Sequence, residues 1–325
     1  MKILITGGNG FLGRNIFKKL LGKGHELYSF SRSDHPFYKE QGITWFQGDI
    51  CDFETLKKAV SGMNVVFHTA SKVSPWGRWE DFYSINVMGT KNVIKACQQE
   101  GIKKLIYTSS PSVVFGNNDL KGADESTPYP KKFIANYGKS KAMAEESILN
   151  SHGKKDLATV ALRPHLIFGE EDPHLIPRLL KKKLFQVGDG DNMVDVIYVE
   201  NAADAHILAM EKLSIASPIG GKAYFLGQEK PIPLWDFIGA ILKGVGRDPI
   251  KKKISLKFAY NLGLMFEKIY QTLGIYKKEP PITRFVALQL GKHHYFDHTN
   301  AEKDLGYHPQ VNLKNAIERT INGFI

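Results

Sequence analysis

Met1-Lys-Ile-Leu-Ile-Thr-Gly-Gly-Asn-Gly-Phe-Leu-Gly13 opens the chain, and its reading decides the fold. Ile3, Leu4 and Ile5 form an apolar run too short for a helix and stopped at once by glycine. That is the pattern of a strand buried on both faces. Helical spacing returns at Phe11 and runs to Leu21. Strand, glycine turn and helix, in that order, are the context in which glycines cradle a dinucleotide. Gly8-x-Gly10-x-x-Gly13 fits the general fingerprint, and Gly7-x-x-Gly10-x-x-Gly13 after Thr6 fits a longer-turn variant. In either, the first glycine permits a tight turn, the middle one has no Cβ to block a pyrophosphate, and the last lets the helix lie close to the sheet. The free N–H groups around Phe11, Leu12 and Gly13 then meet the phosphates at the positive helix end.

Outward from this motif, strand and helix patterns alternate. Glu26–Phe30, Ile43–Gln47, Asn64–His68, Lys104–Ser109 and Leu157–Leu162 read as further strands. Phe53–Ser61, Trp79–Glu100 and Ile134–Asn150 read as helices. The alternation predicts an α/β fold of Rossmann type, a doubly wound parallel sheet. After Arg163-Pro164 prolines become frequent and the rhythm is lost, which predicts a smaller, discontinuous substrate lobe. Residues 1–164 are expected to form the dinucleotide-binding domain, completed by about 194–227. In this reading Val194–Val199 and the helix Ala202–Leu213 return to the main sheet, while 165–193 and 228–325 supply the lobe and tail.

The chain has 325 residues, enough to bury a full core without disulfides or metals, and a formal net charge of +11. Lys181–Lys183, Lys251–Lys253 and Lys277-Lys278 carry part of that excess and read as solvated faces. No interleaving of aromatic and basic residues typical of a nucleic-acid module is present, so no nucleic-acid partner is expected. Cys51 and Cys97 form no CxxC pair and suit a reducing compartment. The glycine turn after Thr6 interrupts any signal-peptide core, and no uncharged stretch reaches transmembrane length. The expected location is cytoplasmic.

The end of the second strand selects the cofactor. An acid there would hold the adenosine ribose 2′-hydroxyl, whereas an arginine accommodates a 2′-phosphate. Ser31 stands where the acid belongs and Arg32 follows, so NADP is expected, with NAD as the alternative that Asp34 keeps open. Asp49, with Ile50 beside it, can face the adenine or simply cap the next helix. Tyr137 and Lys141 are four residues apart and share one helix face. A nearby ammonium would lower the phenol's pKa and fit Tyr137 to exchange a proton with an alkoxide. Thr108-Ser109-Ser110 ends the fifth strand at the carboxyl edge, where a hydroxyl can hold the reacting oxygen.

Thr6–Gly13, His68-Thr-Ala70, Asn86–Thr90, Tyr107–Ser110 and Tyr137-x-x-x-Lys141 follow in order. Together they resemble the extended short-chain dehydrogenase/reductases. Arg163–Gly169, Asp172–Pro177, Val187–Asp195, Tyr198–Ala202 and His206–Ala209 resemble the 3β-hydroxysteroid dehydrogenase branch. Within it, the chain is similar to the sterol-4α-carboxylate 3-dehydrogenases and the bacterial 2-alkyl-3-oxoalkanoate reductases. The resemblance implies Ser110, Tyr137 and Lys141 as catalytic, with Asn86 orienting the helix backbone or a relay water. It implies Ala70 along the cofactor, Pro164 to Leu166 on the nicotinamide side, Lys141 on the ribose, and a homodimer through the two long helices. The lack of a hydrophobic anchor and the Ser31-Arg32 pair favour the bacterial reductases.

A secondary alcohol or ketone on a hydrophobic molecule, a 3-oxo acid or a 3β-hydroxysterol, is the implied substrate. Val73, Pro75, Trp76 and Trp79 are candidates to overhang it. Phe258, Leu262, Leu264, Met265, Phe266 and Ile269 can form an apolar pocket or pack the lobe's core. Lys251–Lys278 can also rest weakly on a membrane surface. His165 and Arg284 can pair with a substrate carboxylate or serve the fold. A nucleotide-sugar epimerase or dehydratase, and a non-catalytic redox sensor, are the competing readings of the same scaffold.

Overall fold

A computed structural model of the chain describes residues 1–181 and 185–325. Of the Lys181–Lys183 run, Lys182 and Lys183 lie outside the described residues. The first half alternates as its pattern predicts. β1 (Lys2–Thr6) leads through the glycine turn into α1 (Phe11–Leu20), followed by β2 (Glu26–Ser31) and β3 (Thr44–Gln47). Then come α2 (Phe53–Val60) and β4 (Val65–His68). A helical turn (Trp79–Phe82) and a π-helical turn (Tyr83–Met88) run directly into α3 (Gly89–Gln99). β5 (Lys104–Thr108), α4 (Asn136–Leu149) and β6 (Ala158–Pro164) complete this half. α5 (Val199–Lys212), β7 (Ala223–Leu226) and α6 (Leu256–Thr272) follow.

All seven strands are parallel, in the order β7-β6-β5-β4-β1-β2-β3. The order reverses between β1 and β4, which makes their carboxyl ends the place where a ligand binds in such a sheet. β1 shows why both faces are covered. Ile3 and Ile5 join the core under α1 and α5, while Leu4 joins the core under α2 and α3. Period-two alternation with no polar side is the signature of a sheet clad in helices.

The seventh strand differs from the sequence expectation. Val194–Val199 does not enter the main sheet. Met193–Val194 belongs to a four-stranded sheet with Ile232–Pro233, His294–Phe296 and Leu120–Ala123, and Ile197–Tyr198 pairs only with Ile167–Phe168. Asp195 interrupts the run, and its carboxylate accepts the Phe296 N–H at 2.7 Å, which ties the segment to the smaller sheet. The edge of the main sheet is instead Ala223–Leu226, entered after α5 has crossed back over α1. A four-residue apolar run carries too little periodicity to identify it alone.

Candidate active site

The glycine turn sits at the carboxyl end of β1, and both spacings are used. Gly7 has φ +74°, and a Cβ there would lie 2.7 Å from the Ala70 backbone. Ala70 thus closes one wall of the turn. A Cβ on Gly13 would lie 2.6 Å from the Gly7 carbonyl oxygen and 2.8 Å from Gly8 Cα, so α1 can start this close only on glycine. Gly10 is the N-cap of α1 and has no side chain to satisfy the first helical N–H groups. Those of Phe11, Leu12 and Gly13 therefore remain available to an anion.

At the adenosine end, Ser31 Oγ donates to the Ser33 carbonyl and accepts from Trp45 Nε1. Asp34 turns its carboxylate back onto the His35 N–H at 2.7 Å. Arg32 is exposed and makes no ion pair among the described residues. Asp49 accepts from Cys51 N at 2.9 Å, a turn contact that engages one of its two carboxylate oxygens. Ile50 is buried, with its side chain packed at Gly89 and its carbonyl accepting from Asn92 Nδ2 at 3.0 Å.

At the reacting end, strand alternation separates the two serines. Ser109 Oγ is buried without a partner, whereas Ser110 Oγ accepts from Ser112 N and shares a hydrogen bond with Ser112 Oγ. Tyr137, in the first turn of α4, has its phenol close enough to Ser110 and Ser112 for their hydroxyls to act on its pKa. Burial raises the phenol's pKa, and these hydroxyls partly offset it. The expected depression by Lys141 is absent here. Lys141 Nζ donates to the Thr108 carbonyl at 2.6 Å and lies 4.2 Å from the centre of the Tyr107 ring. Burial brings its own pKa down to about 7, against a counter-pull from Glu145 one turn on. Glu145 is in turn held by two hydrogen bonds from Arg163 and one from Tyr129.

The buried ammonium has a consequence for stability. Between about pH 7 and the ordinary lysine range, the unfolded chain binds a proton that the folded chain has released. Stability of the ligand-free protein therefore rises with pH across that window. Thermal melts of wild type and Lys141→Met from pH 7 to 9.5 check this: the wild-type Tm gains several degrees on the variant as pH rises. Parallel curves would show that the ammonium carries no such penalty.

Asn86 is placed as a brace. Its Oδ1 accepts from Lys72 N at 2.7 Å, and its Nδ2 donates to the Lys72 carbonyl and to Ser140 Oγ. Ser140 Oγ donates to the Tyr137 carbonyl. Held in this way, Asn86 links the loop at Lys72 to the helix backbone that carries Tyr137, and its Oδ1 keeps one lone pair free. Two histidine chains that sequence reasoning left without a role do similar work. Thr6 donates to His68 Nδ1, His68 Nε2–H to Thr90, and Thr90 to the Asn86 carbonyl. Thr108 donates to His206 Nε2, and His206 Nδ1–H to the Ala202 carbonyl, directly beneath the carbonyl that Lys141 grips. Burial pushes His68 down to about 3 and His206 down to about 4, so both are neutral and their tautomers are fixed by these partners.

On the far side of the cleft, Pro164 ends β6 and Leu166 takes φ +41°, an uncommon backbone conformation for a branched side chain. His165 does not offer a charge to a carboxylate. It is buried, held well below the usual histidine range by desolvation, and hydrogen-bonded to His294 at 2.6 Å. Arg284 binds Glu267 through its Nε and backbone N, each at 2.7 Å.

Asn136 and Lys139, on the same helical turn as Tyr137, line a cavity of about 950 Å³ that Tyr137 itself does not line. Pro75, Trp76, Trp79, Phe82, Phe133 and Tyr276 give it aromatic and apolar walls. Trp76 stacks on Tyr276, and Trp76 Nε1 donates to the Ile275 carbonyl. Arg78, Lys131, Lys132 and Lys139 give the cavity a mainly cationic rim, with Glu80 and the Arg284–Glu267 pair also lining it. Val73 is exposed and does not line it. Nor does the apolar run of α6, whose Phe258, Met265 and Ile269 point to solvent. The cavity meets α6 only through Glu267 and Gln271. No group of side chains suited to a metal occurs among the described residues.

Comparison with known proteins places this geometry. Residues 4–258 match the model of the 3-beta hydroxysteroid dehydrogenase/isomerase family. A 2-alkyl-3-oxoalkanoate reductase of Stenotrophomonas maltophilia is 41% identical, with 98% of each chain covered. A decarboxylating sterol-4-alpha-carboxylate 3-dehydrogenase of Mus musculus is 37% identical, covering 99% of this chain and 91% of that one. The structure of a UDP-glucose 4-epimerase of Thermus thermophilus with NAD superposes with a TM-score of 0.76 at 21% identity, over 100% of this chain and 99% of that one. At that identity it shows the fold alone.

Proposed function

The chain belongs to the 3-beta hydroxysteroid dehydrogenase/isomerase family and is an NAD(P)-dependent dehydrogenase/reductase, and on that premise we propose that it reduces hydrophobic 3-oxo acids with NADPH. The observation that carries this reading is the Tyr137 phenol, desolvated and close to the Ser110 and Ser112 hydroxyls, on the helical turn whose Asn136 and Lys139 line an aromatic cavity. When bound, a reduced nicotinamide would supply the hydride for the ketone carbon. Ser110 holds the carbonyl oxygen, and the Tyr137 O–H delivers the proton that turns the alkoxide into an alcohol. Lys141, held by the Thr108 carbonyl, would grip the nicotinamide ribose and re-protonate the phenolate.

Gly7, Gly10 and Gly13 with the N–H groups of Phe11 and Leu12 would hold the pyrophosphate. Arg32 would hold the 2′-phosphate, and Asp49 and Ile50 would flank the adenine. Ala70 and Pro164 to Leu166 would frame the nicotinamide. The 41%-identical relative is named for a 3-oxo acid, and a carboxylate suits the rim of Arg78, Lys131, Lys132 and Lys139. In this reading residues 1–164 with about 199–227 carry the cofactor, and 165–198 with 228–325 cover the substrate.

The test is a cofactor-oxidation screen of the purified protein with NADPH and NADH. It would compare long-chain 2-alkyl-3-oxo acids, 3-ketosterols and nucleotide sugars. The expected result is NADPH consumption with the 3-oxo acids; activity confined to nucleotide sugars would refute the reading. Arg32→Ala is expected to raise KM for NADPH about tenfold, the worth of one charge-assisted hydrogen bond, and to leave KM for NADH unchanged. Equal effects on the two cofactors would remove Arg32 from the 2′-phosphate.

A further inference from the structure

α6 is buried on one side only. Ala259, Gly263 and Glu267 face inward, and Gly263 lets the Thr283–Arg284 backbone approach closely. On the opposite side Phe258, Met265, Ile269 and Leu273 are 57%, 46%, 43% and 65% exposed, with the partly buried Leu262 between them. Their spacing puts all five on one stripe along the helix. An uninterrupted apolar stripe of this kind marks a surface that something covers.

The charge around the stripe says what covers it. From Lys251 to Lys278 the chain carries seven lysines, Lys251, Lys252, Lys253, Lys257, Lys268, Lys277 and Lys278, and one acid, Glu267. Glu267 is buried and neutralised by Arg284. All seven lysines are exposed, and none is ion-paired among the described residues. The outer surface of the segment is therefore apolar and cationic with no opposing charge. That is the chemistry of a helix lying in the headgroup layer of an anionic bilayer. No helix of the described residues is long and apolar enough to cross a membrane.

The same helix borders the cavity. Glu267 and Gln271 line it from α6, and Tyr276, just beyond, closes it against Trp76. We propose that the outer face of α6 docks on an anionic lipid surface, so that the cavity opens where a long-chain substrate is dissolved. This deepens the hydrophobic-substrate reading, on which its purpose rests, but vesicle binding is measured without turnover and stands or falls separately.

The experiment is flotation of the full chain with phosphatidylcholine vesicles, with and without phosphatidylglycerol, at low and high salt. Wild type is expected to float with the phosphatidylglycerol vesicles and to be partly released by salt. Met265→Gln/Ile269→Gln is expected to lose at least about tenfold in vesicle affinity, since two side chains no longer enter the acyl boundary. Lys257→Gln/Lys268→Gln is expected to lose mainly the phosphatidylglycerol-dependent part. Unchanged Tm and NADPH binding in the variants keeps folding out of the comparison. Wild type that fails to bind phosphatidylglycerol vesicles at low salt overturns the proposal. So does a Met265→Gln/Ile269→Gln protein that binds as well as wild type. A dimer in sedimentation velocity that this variant dissociates, with no vesicle binding, assigns the stripe to a second copy of the chain and overturns it equally.

Discussion

Tyr137→Phe is expected to lower kcat for ketone reduction about a thousandfold, within the range that general-acid catalysis contributes, with the Kd for NADPH nearly unchanged. The substitution removes one oxygen and keeps the ring, so the packing in the first turn of α4 survives. What is lost is the phenol O–H close to the Ser110 and Ser112 hydroxyls. Because burial raises the phenol's pKa, Tyr137 is fully protonated at neutral pH and stands ready as an acid. Steady-state kinetics and a fluorescence titration of NADPH separate the two effects. A variant with wild-type turnover would show that the proton comes from elsewhere, and equal loss of kcat and cofactor affinity would assign Tyr137 to binding.

Gly13→Val is expected to weaken dinucleotide binding at least about a hundredfold and to destabilise the protein by about 1–3 kcal/mol, the usual cost of overpacking. A Cβ at position 13 meets backbone, the Gly7 oxygen at 2.6 Å and Gly8 Cα at 2.8 Å, so no side-chain rotation relieves it. Either α1 moves away from the sheet or the turn opens, and both displace the N–H groups of Phe11 and Leu12 that would face the phosphates. Calorimetric titration with NADPH and a denaturant melt read the two consequences. Wild-type affinity with an intact fold would place the pyrophosphate elsewhere.

The parts of the fold legible in the sequence share one feature: a local pattern that tertiary structure only had to accept. The apolar run Ile3–Ile5, the glycine turn and the following strands of the first half are of this kind, and the strand alternation that turns Ser110 outward and buries Ser109 follows from the same rule. Where two outcomes satisfy one pattern, the sequence is silent. Val194–Val199 and Ala223–Leu226 are both short apolar runs, and only the Asp195–Phe296 bond and the crossover of α5 decide which reaches the main sheet.

The apolar residues of α6 illustrate the same limit. Helical spacing shows a stripe at Phe258, Met265 and Ile269 but not whether it faces a pocket or the outside. Charge at the site is legible only as residue type. The Tyr137/Lys141 spacing is as expected, yet the ammonium is spent on the Thr108 carbonyl and the Tyr107 face, so burial governs the phenol. His165 reads in sequence as a carboxylate partner or a structural residue, and burial against His294 favours the second. Asn86 reads as orienting the helix backbone or a relay water, and its three hydrogen bonds tie it to Lys72 and Ser140. The threonine–histidine chains through His68 and His206 lie within motifs quoted from the sequence, but only the packed structure brings Thr6, Thr90 and Thr108 to them.

The central claim is tested most directly by following the hydride. Purified protein incubated with NADPH deuterated on the transferred position of the nicotinamide and a long-chain 2-alkyl-3-oxo acid is expected to release the 3-hydroxy acid with one deuterium on C3, in step with NADP formed. A tightly retained cofactor with no net oxidation and no labelled alcohol, in a protein that still binds NADPH, would contradict it.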